Sequence, residues 1–262
     1  MVITIINNKG GTGKTTTCVN LAAALARNEY KVLLVDLDPQ ASASLSLGST
    51  YDNLSPSAAD VLFTGITVET AKRNTTIPGL DLLTGDMDLA NTDLILADAV
   101  GRENMLGKAL ELIKDNYDFI FCDCPPSLSL LSINALLAAD RYLVPVTPEY
   151  LALEGLVSLM NGLERVKEGM GIDIELIGIL FTMAATGIFP QLNRELKWQR
   201  EIIGLVREQY SNNVFKTVIK RDSRLAEAPS YSRSIFEYAP ESSAARQYSS
   251  LANEILKRCG NI

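Results

Sequence analysis

Continuous apolar runs bounded by turn residues alternate along the chain with stretches whose apolar residues recur every three or four positions. The runs at residues 2–6, 31–35, 80–83, 119–122, 142–146, 176–181 and 214–219 read as strands buried on both faces. Residues 14–27, 98–114, 128–138, 151–168, 193–209 and 244–258 carry the helical spacing. This alternation requires crossover connections, so the expected architecture is α/β: a doubly wound, mostly parallel sheet flanked by helices on both faces. Ligands in such a fold bind beyond the carboxyl ends of the strands. No repeat, low-complexity tract or long Pro/Gly/Ser linker interrupts the pattern, so a single domain over residues 1–262 is expected. Residues 48–56 and 184–190 are the best loop candidates.

Composition narrows the chemistry. With 262 residues, 47% of them hydrophobic, the chain can bury one large core. It contains no histidine, which excludes histidine-based catalysis and histidine metal ligands. Cys18, Cys122, Cys124 and Cys259 are few for this length and are expected to be reduced, structural thiols. No run approaches the roughly 18 apolar residues of a membrane span, and the N-terminus opens on a strand without a charged leader, so a cytoplasmic protein is expected. The net charge of -7 is unevenly spread: residues 191–262 hold twelve Lys/Arg against eight Asp/Glu, and residues 1–190 twelve against twenty-three. A basic C-terminal portion on an acidic body permits local contact with a polyanion.

The sharpest motif is Lys9-Gly10-Gly11-Thr12-Gly13-Lys14-Thr15-Thr16, where the first strand gives way to the first helix. Glycines there let backbone N–H groups converge on phosphate oxygens, and the helix N-terminus adds a favourable dipole. Lys14 would neutralise β/γ-phosphate charge, and the Thr15 hydroxyl would ligate Mg²⁺. The loop departs from G-x-x-x-x-G-K-[ST], since Asn8 stands at the first glycine and Lys9 follows it. A lysine at that outer edge has no obvious target on its own nucleotide, which Lys14 already serves; the phosphates of a second subunit are one it can reach.

Two acidic sites suit phosphoryl transfer, which asks mainly for positioning and electrostatics. Asp36 and Asp38 close the second apolar run, one expected to be structural and the other to face the phosphates; the alternative for such acids is a cap on the next turn. Asp123, closing the fourth apolar run at residues 119–122, suits a ligand to Mg²⁺-bound water.

Together with residues 9–16, the segments 35–40 (Val-Asp-Leu-Asp-Pro-Gln), 123–127 (Asp-Cys-Pro-Pro-Ser), 133–136, 149–155 and 224–230 resemble, in order, the motif series of ParA/Soj-type deviant Walker A ATPases. The resemblance spans essentially the whole chain. It implies an ATP- and Mg²⁺-dependent ATPase that forms an ATP-sandwich homodimer, with Lys9 contacting the partner's nucleotide. Asp38 would support the attacking water, and Asp123 would be the Walker B acid; Thr15, Asp38 and Asp123 would surround Mg²⁺, the acids through water. It also implies non-specific DNA binding in the ATP state, association with the nucleoid, and a ParB-like or adaptor protein that stimulates hydrolysis while a cargo is positioned. Arg224 is the matching DNA candidate, with Lys220 and Arg221 as basic neighbours. Lys220 stands where the family usually has proline, and residues 183–198 lack a match to the family's short Arg-containing loop.

Three other classes share parts of this pattern. An electron carrier similar to nitrogenase iron protein would need cysteines in a glycine-rich ligand setting, which none of the four has. A membrane-cycling ATPase resembling MinD would need a basic amphipathic C-terminal helix, but only Lys257 and Arg258 follow the apolar face of Tyr248, Leu251, Ala252, Ile255 and Leu256. That face is expected to dock on the core, and no membrane partner is expected. A ligase similar to dethiobiotin synthetase is disfavoured by residues 224–230.

Overall fold

Strands apolar on both faces need cover on both sides, and the computed structural model, which describes residues 1–185 and 194–260, supplies it. Eight strands form one sheet: β1 (Val2–Ile5), β2 (Val32–Asp36), β3 (Arg73–Asn74), β4 (Leu80–Leu83), β5 (Phe119–Asp123), β6 (Arg141–Val146), β7 (Glu175–Ala184) and β8 (Val214–Lys220). Their order is β3-β4-β2-β5-β1-β6-β7-β8, and every pairing is parallel except that of β3 with β4. Because β5 lies between β1 and β2, their carboxyl ends converge: Asp123 is the register partner of both Ile5 and Asp36.

Alternating side chains build two cores. Leu33, Val35, Ile120 and Cys122 face one side, where Leu106, Leu131, Leu156, Leu159 and Val206 cover them. Val32, Leu34, Phe119 and Phe121 face the other, under the helices Lys14–Arg27 and Ser243–Arg258. Tyr248, Leu251, Ala252 and Ile255 are buried there, so the apolar face of the last helix is spent on the core. Ser242 caps that helix, its hydroxyl accepting from the Ala245 N–H. Cys18 is buried in this second core and Cys122 and Cys124 in the first, while Cys259 is half-buried.

All seven expected strands form, with ends shifted by at most three residues. The expected helix at 98–114 does not: its helical part is Met105–Glu111, flanked by 3₁₀ turns at Arg102–Asn104 and Lys114–Asn116. Gly101 adopts φ 72°, turning the chain before the helix. Asn134, from the helix Leu130–Ala138, then accepts the Leu106 N–H at 3.1 Å and donates to the Arg102 carbonyl at 2.8 Å. The apolar spacing is real, since Leu106, Leu110 and Ile113 are buried, but it crosses a turn. Helices Tyr150–Met170 and Arg194–Tyr210 match expectation, whereas the short helices Ser42–Ser46, Ala58–Thr64 and Ser223–Glu227 carried no readable periodicity. Of the two expected loops, most of 184–190 lies outside the described residues; 48–56 contains a 3₁₀ turn, Tyr51–Asn53. The guanidinium of Arg73 donates to the Asn53, Leu54 and Pro56 carbonyls and fastens that loop to the sheet edge.

Candidate active site

The glycine-rich loop leaves β1 and enters the helix Lys14–Arg27 through Gly11 at φ 68° and Gly13 at φ 81°, left-handed conformations that favour glycine. Side chains from neighbouring strand ends hold it. Asn7 donates to the Pro145 carbonyl at 2.7 Å and accepts the Lys9 N–H at 3.0 Å. Thr182, near the end of β7, donates to the Thr12 carbonyl at 2.8 Å. Gly13 precedes the helix without a side-chain cap, so its first N–H groups have no capping oxygen and suit an anion. Lys14 is buried inside the loop, its ammonium donating to the Lys9 carbonyl at 2.9 Å. Burial holds its pKa below the ordinary lysine value, while Asp123 is the strongest opposing influence.

Asp123 has no exposed surface, and neither carboxylate oxygen has a hydrogen-bond partner among the described residues. Buried polar groups are almost always paired, so this carboxylate fits a cation or the water on one. Its pKa is raised well above the carboxylate range, first by burial and then by Asp36, with Thr15 and Lys14 acting the other way. An orphaned acid, the Thr15 hydroxyl and the uncapped helix start together are a hard-cation and phosphate donor set.

Asp36 is equally buried but satisfied. It accepts from the Ser44 N–H at 2.9 Å, the Ser44 hydroxyl at 2.7 Å and the Asp38 N–H at 3.1 Å. Burial pushes its pKa up to about 6 even though the Ser44 bonds oppose the shift. Asp38, half-buried, accepts the Gln40 N–H at 2.9 Å, a turn contact, and is close enough to Lys14 to influence its charge. Asp36 is thus held as a structural anchor, and Asp38 lies beyond the strand with its carboxylate on the following turn.

The two loop lysines diverge. Lys14 points inward, whereas the side-chain end of Lys9 lies against Gly155 of the helix Tyr150–Met170, where an added Cβ would meet the Lys9 ammonium at 2.6 Å. On the other side of the loop a cavity of about 440 Å³ is lined by Gly13, Thr16, Thr182, Ile219, Leu225 and Tyr248, among others. Lys220 and Arg221 stand on its wall.

The three basic candidates at and beyond the end of β8 are exposed but already engaged or peripheral. Arg224 forms a two-point pair with Asp222, at 2.7 and 2.8 Å, which lowers the Asp222 pKa. Arg221 reaches Glu195 at 3.7 Å. Sequence reasoning missed Asn7, Thr182, Ser44 and Gly85; the first adjoins the motif, but the rest are single small residues with no local signature.

A family model described as an AAA domain matches residues 1–176. The chain is 41% identical over 254 residues to the sporulation initiation inhibitor protein Soj of Bacillus subtilis, covering 97% of each. Among solved structures, cobyrinic acid a,c-diamide synthase from Mycobacterium smegmatis with bound ADP and magnesium matches with a TM-score of 0.83 at 30% identity, covering 98% of this chain and 94% of that one. The septum site-determining protein MinD of Pyrococcus horikoshii, complexed with Mg-ADP, matches with a TM-score of 0.77 at 27% identity, covering 99% and 97%.

Proposed function

The chain belongs to the ParA/Soj family of P-loop ATPases, and from that premise we propose that it is an ATP-gated homodimer that binds DNA of any sequence and positions a cargo. It hydrolyses ATP with Mg²⁺ as cofactor. Backbone N–H groups of residues 10–16 and the Lys14 ammonium bind the phosphates, and the apolar cavity beside Gly13 takes the base. Thr15, Asp123 and Asp38 are the residues that would hold Mg²⁺, which would neutralise charge developing on the phosphates. Asp38 orients the attacking water. Lys9 serves the nucleotide of the second subunit.

The observation that supports the dimer is the divergence of the lysines: Lys14 is buried in the loop, and the half-buried Lys9 places its side-chain end against Gly155 of the helix Tyr150–Met170. DNA binding then pairs two copies of the segment with Arg224, Lys220 and Arg221, and the ATP state associates with the nucleoid. A ParB-like or adaptor partner accelerates hydrolysis and releases the dimer. The cargo is a plasmid, a chromosome region or a protein assembly, as the chromosome-partitioning names of relatives suggest.

Light scattering and fluorescent-nucleotide titration test the gate. Lys14→Ala is expected to lose ATP binding, about 100-fold or more, because it removes the cation facing the phosphates. Lys9→Ala is expected to bind ATP within a few-fold of wild type yet remain monomeric. Equal loss of nucleotide affinity in both would return Lys9 to its own subunit's site. DNA anisotropy on two unrelated duplexes, with ATP and with ADP, tests the second half; binding that ignores the nucleotide would sink it.

A further inference from the structure

The residues after β2 are held by a three-way contact that no motif announces. Asp36 uses one oxygen for the Asp38 N–H and the other for Ser44, taking both its N–H and its hydroxyl. The Ser44 hydroxyl in turn accepts the Gly85 N–H at 3.0 Å. Gly85, just beyond β4, lies so close that a Cβ there would fall 2.8 Å from the Asp38 carbonyl oxygen and 2.9 Å from that of Asp36. Asp38 is therefore fixed on both sides: its N–H is bound by Asp36, and its carbonyl is flanked by Gly85 and accepts the Ala41 N–H at 2.8 Å. Ala41 closes this turn at φ 52°, an uncommon conformation for a residue with a Cβ, and it persists where surrounding contacts over-determine it.

We propose that Ser44, clamped between Asp36 and Gly85, is a positioning residue for ATP hydrolysis that holds the backbone carrying Asp38. This rests on the role given above to Asp38. Ser44 is fully buried and bridges two separate strand ends, β2 and β4, through one hydroxyl that donates and accepts at once. It lies in the short helix Ser42–Ser46, on the chain that leaves Asp38. Removing the hydroxyl leaves the Gly85 N–H without its acceptor and Asp36 with one bond fewer, so the Asp38 turn loses its fixed distance from the phosphate loop. Water positioning matters more in the transition state than in nucleotide binding, so the loss belongs to kcat.

The test is a two-residue cycle in the full chain with Mg-ATP, read by single-turnover hydrolysis and by nucleotide titration. Ser44→Ala is expected to lower kcat about tenfold, with ATP affinity within about twofold of wild type. In an Asp38→Ala background the same change is expected to do nothing further, because the group it positions is gone. A wild-type kcat in Ser44→Ala, or an equal drop with and without Asp38, overturns the proposal. A wild-type rate in Asp38→Ala instead overturns the reading of Asp38 itself. If Ser44→Ala does not fold, Gly85→Ala in the same cycle pushes on the Asp38 carbonyl directly and is held to the same two outcomes. Amide hydrogen exchange gives a separate readout: the Asp38 N–H is expected to exchange faster in either variant, and unchanged protection would count against the clamp.

Discussion

The two ends of the sheet carry clefts of similar size and opposite character. At the amino ends of β6, β7 and β8, a cavity of about 550 Å³ is lined by Arg141, Lys216, Lys257 and Arg258 with Glu175 and Glu254. Its two arginines and two glutamates are already paired. The Arg258 guanidinium donates to the Ile177 and Val214 carbonyls at 2.7 and 2.9 Å, meets Glu254 at 3.1 Å and lies 4.1 Å from the centre of the Phe215 ring. Glu254 accepts the Lys216 and Thr217 N–H groups, which hold its pKa below the ordinary value although burial works against them. At the carboxyl ends, the cavity beside the phosphate loop is smaller, and Asp123, which closes β5 outside that cavity's lining, has neither oxygen paired among the described residues. Satisfied groups staple a structure; unsatisfied buried groups await a ligand. Volume does not distinguish the two clefts; the unpaired carboxylate does.

The sharpest way to break this contrast is to remove the central cation of the satisfied end. Arg258→Ala strips two carbonyls, Glu254 and Phe215 of their partner, and is expected to destabilise the fold by about 3 kcal/mol while leaving ATP affinity unchanged. Chemical denaturation and nucleotide titration would check both; a large loss of ATP affinity in a folded variant would join the two ends functionally.

At the unsatisfied end the sign reverses. Asp36, raised to about 6, and Asp123, also raised well above the ordinary carboxylate value, hold protons more tightly folded than unfolded. Their ionisation therefore costs stability as pH rises from the unfolded carboxylate pKa of about 4 through the folded values, and is free of cost below it. Asp123→Asn is expected to stabilise the nucleotide-free protein at pH 7 by about 1–2 kcal/mol, with the gain shrinking toward pH 5. Denaturation midpoints of the two proteins at both pH values decide it; a destabilised variant at pH 7 would mean that Asp123 has a protein partner after all.

The smallest expected effect lies in the basic segment. Asp222 occupies the exposed Arg224 guanidinium that a phosphate would need, so Asp222→Asn should strengthen ATP-dependent DNA binding by roughly two- to fivefold, the modest gain of freeing one cation per subunit. Anisotropy at several salt concentrations would show it. Unchanged affinity together with an unchanged salt dependence in Arg224→Ala would move the DNA contact to another surface.

The phosphate loop was legible because its chemistry is contiguous: residues 9–16 carry glycines, lysine and hydroxyl within one strand-to-helix turn. The buried strands were legible because both faces are apolar. The edge strand Arg73–Asn74 was not, since two polar residues are a strand only through β4 beside them. Nor was the end of the helix near 105, which depends on an asparagine from another helix. The sequence by itself determined which residues could bind phosphate and that a parallel sheet would present them. Only the tertiary structure decided that Asp36 anchors and Asp123 stays unpaired. Inserting β5 between β1 and β2 makes the two acids register neighbours, and Ser44 then satisfies one while nothing among the described residues satisfies the other.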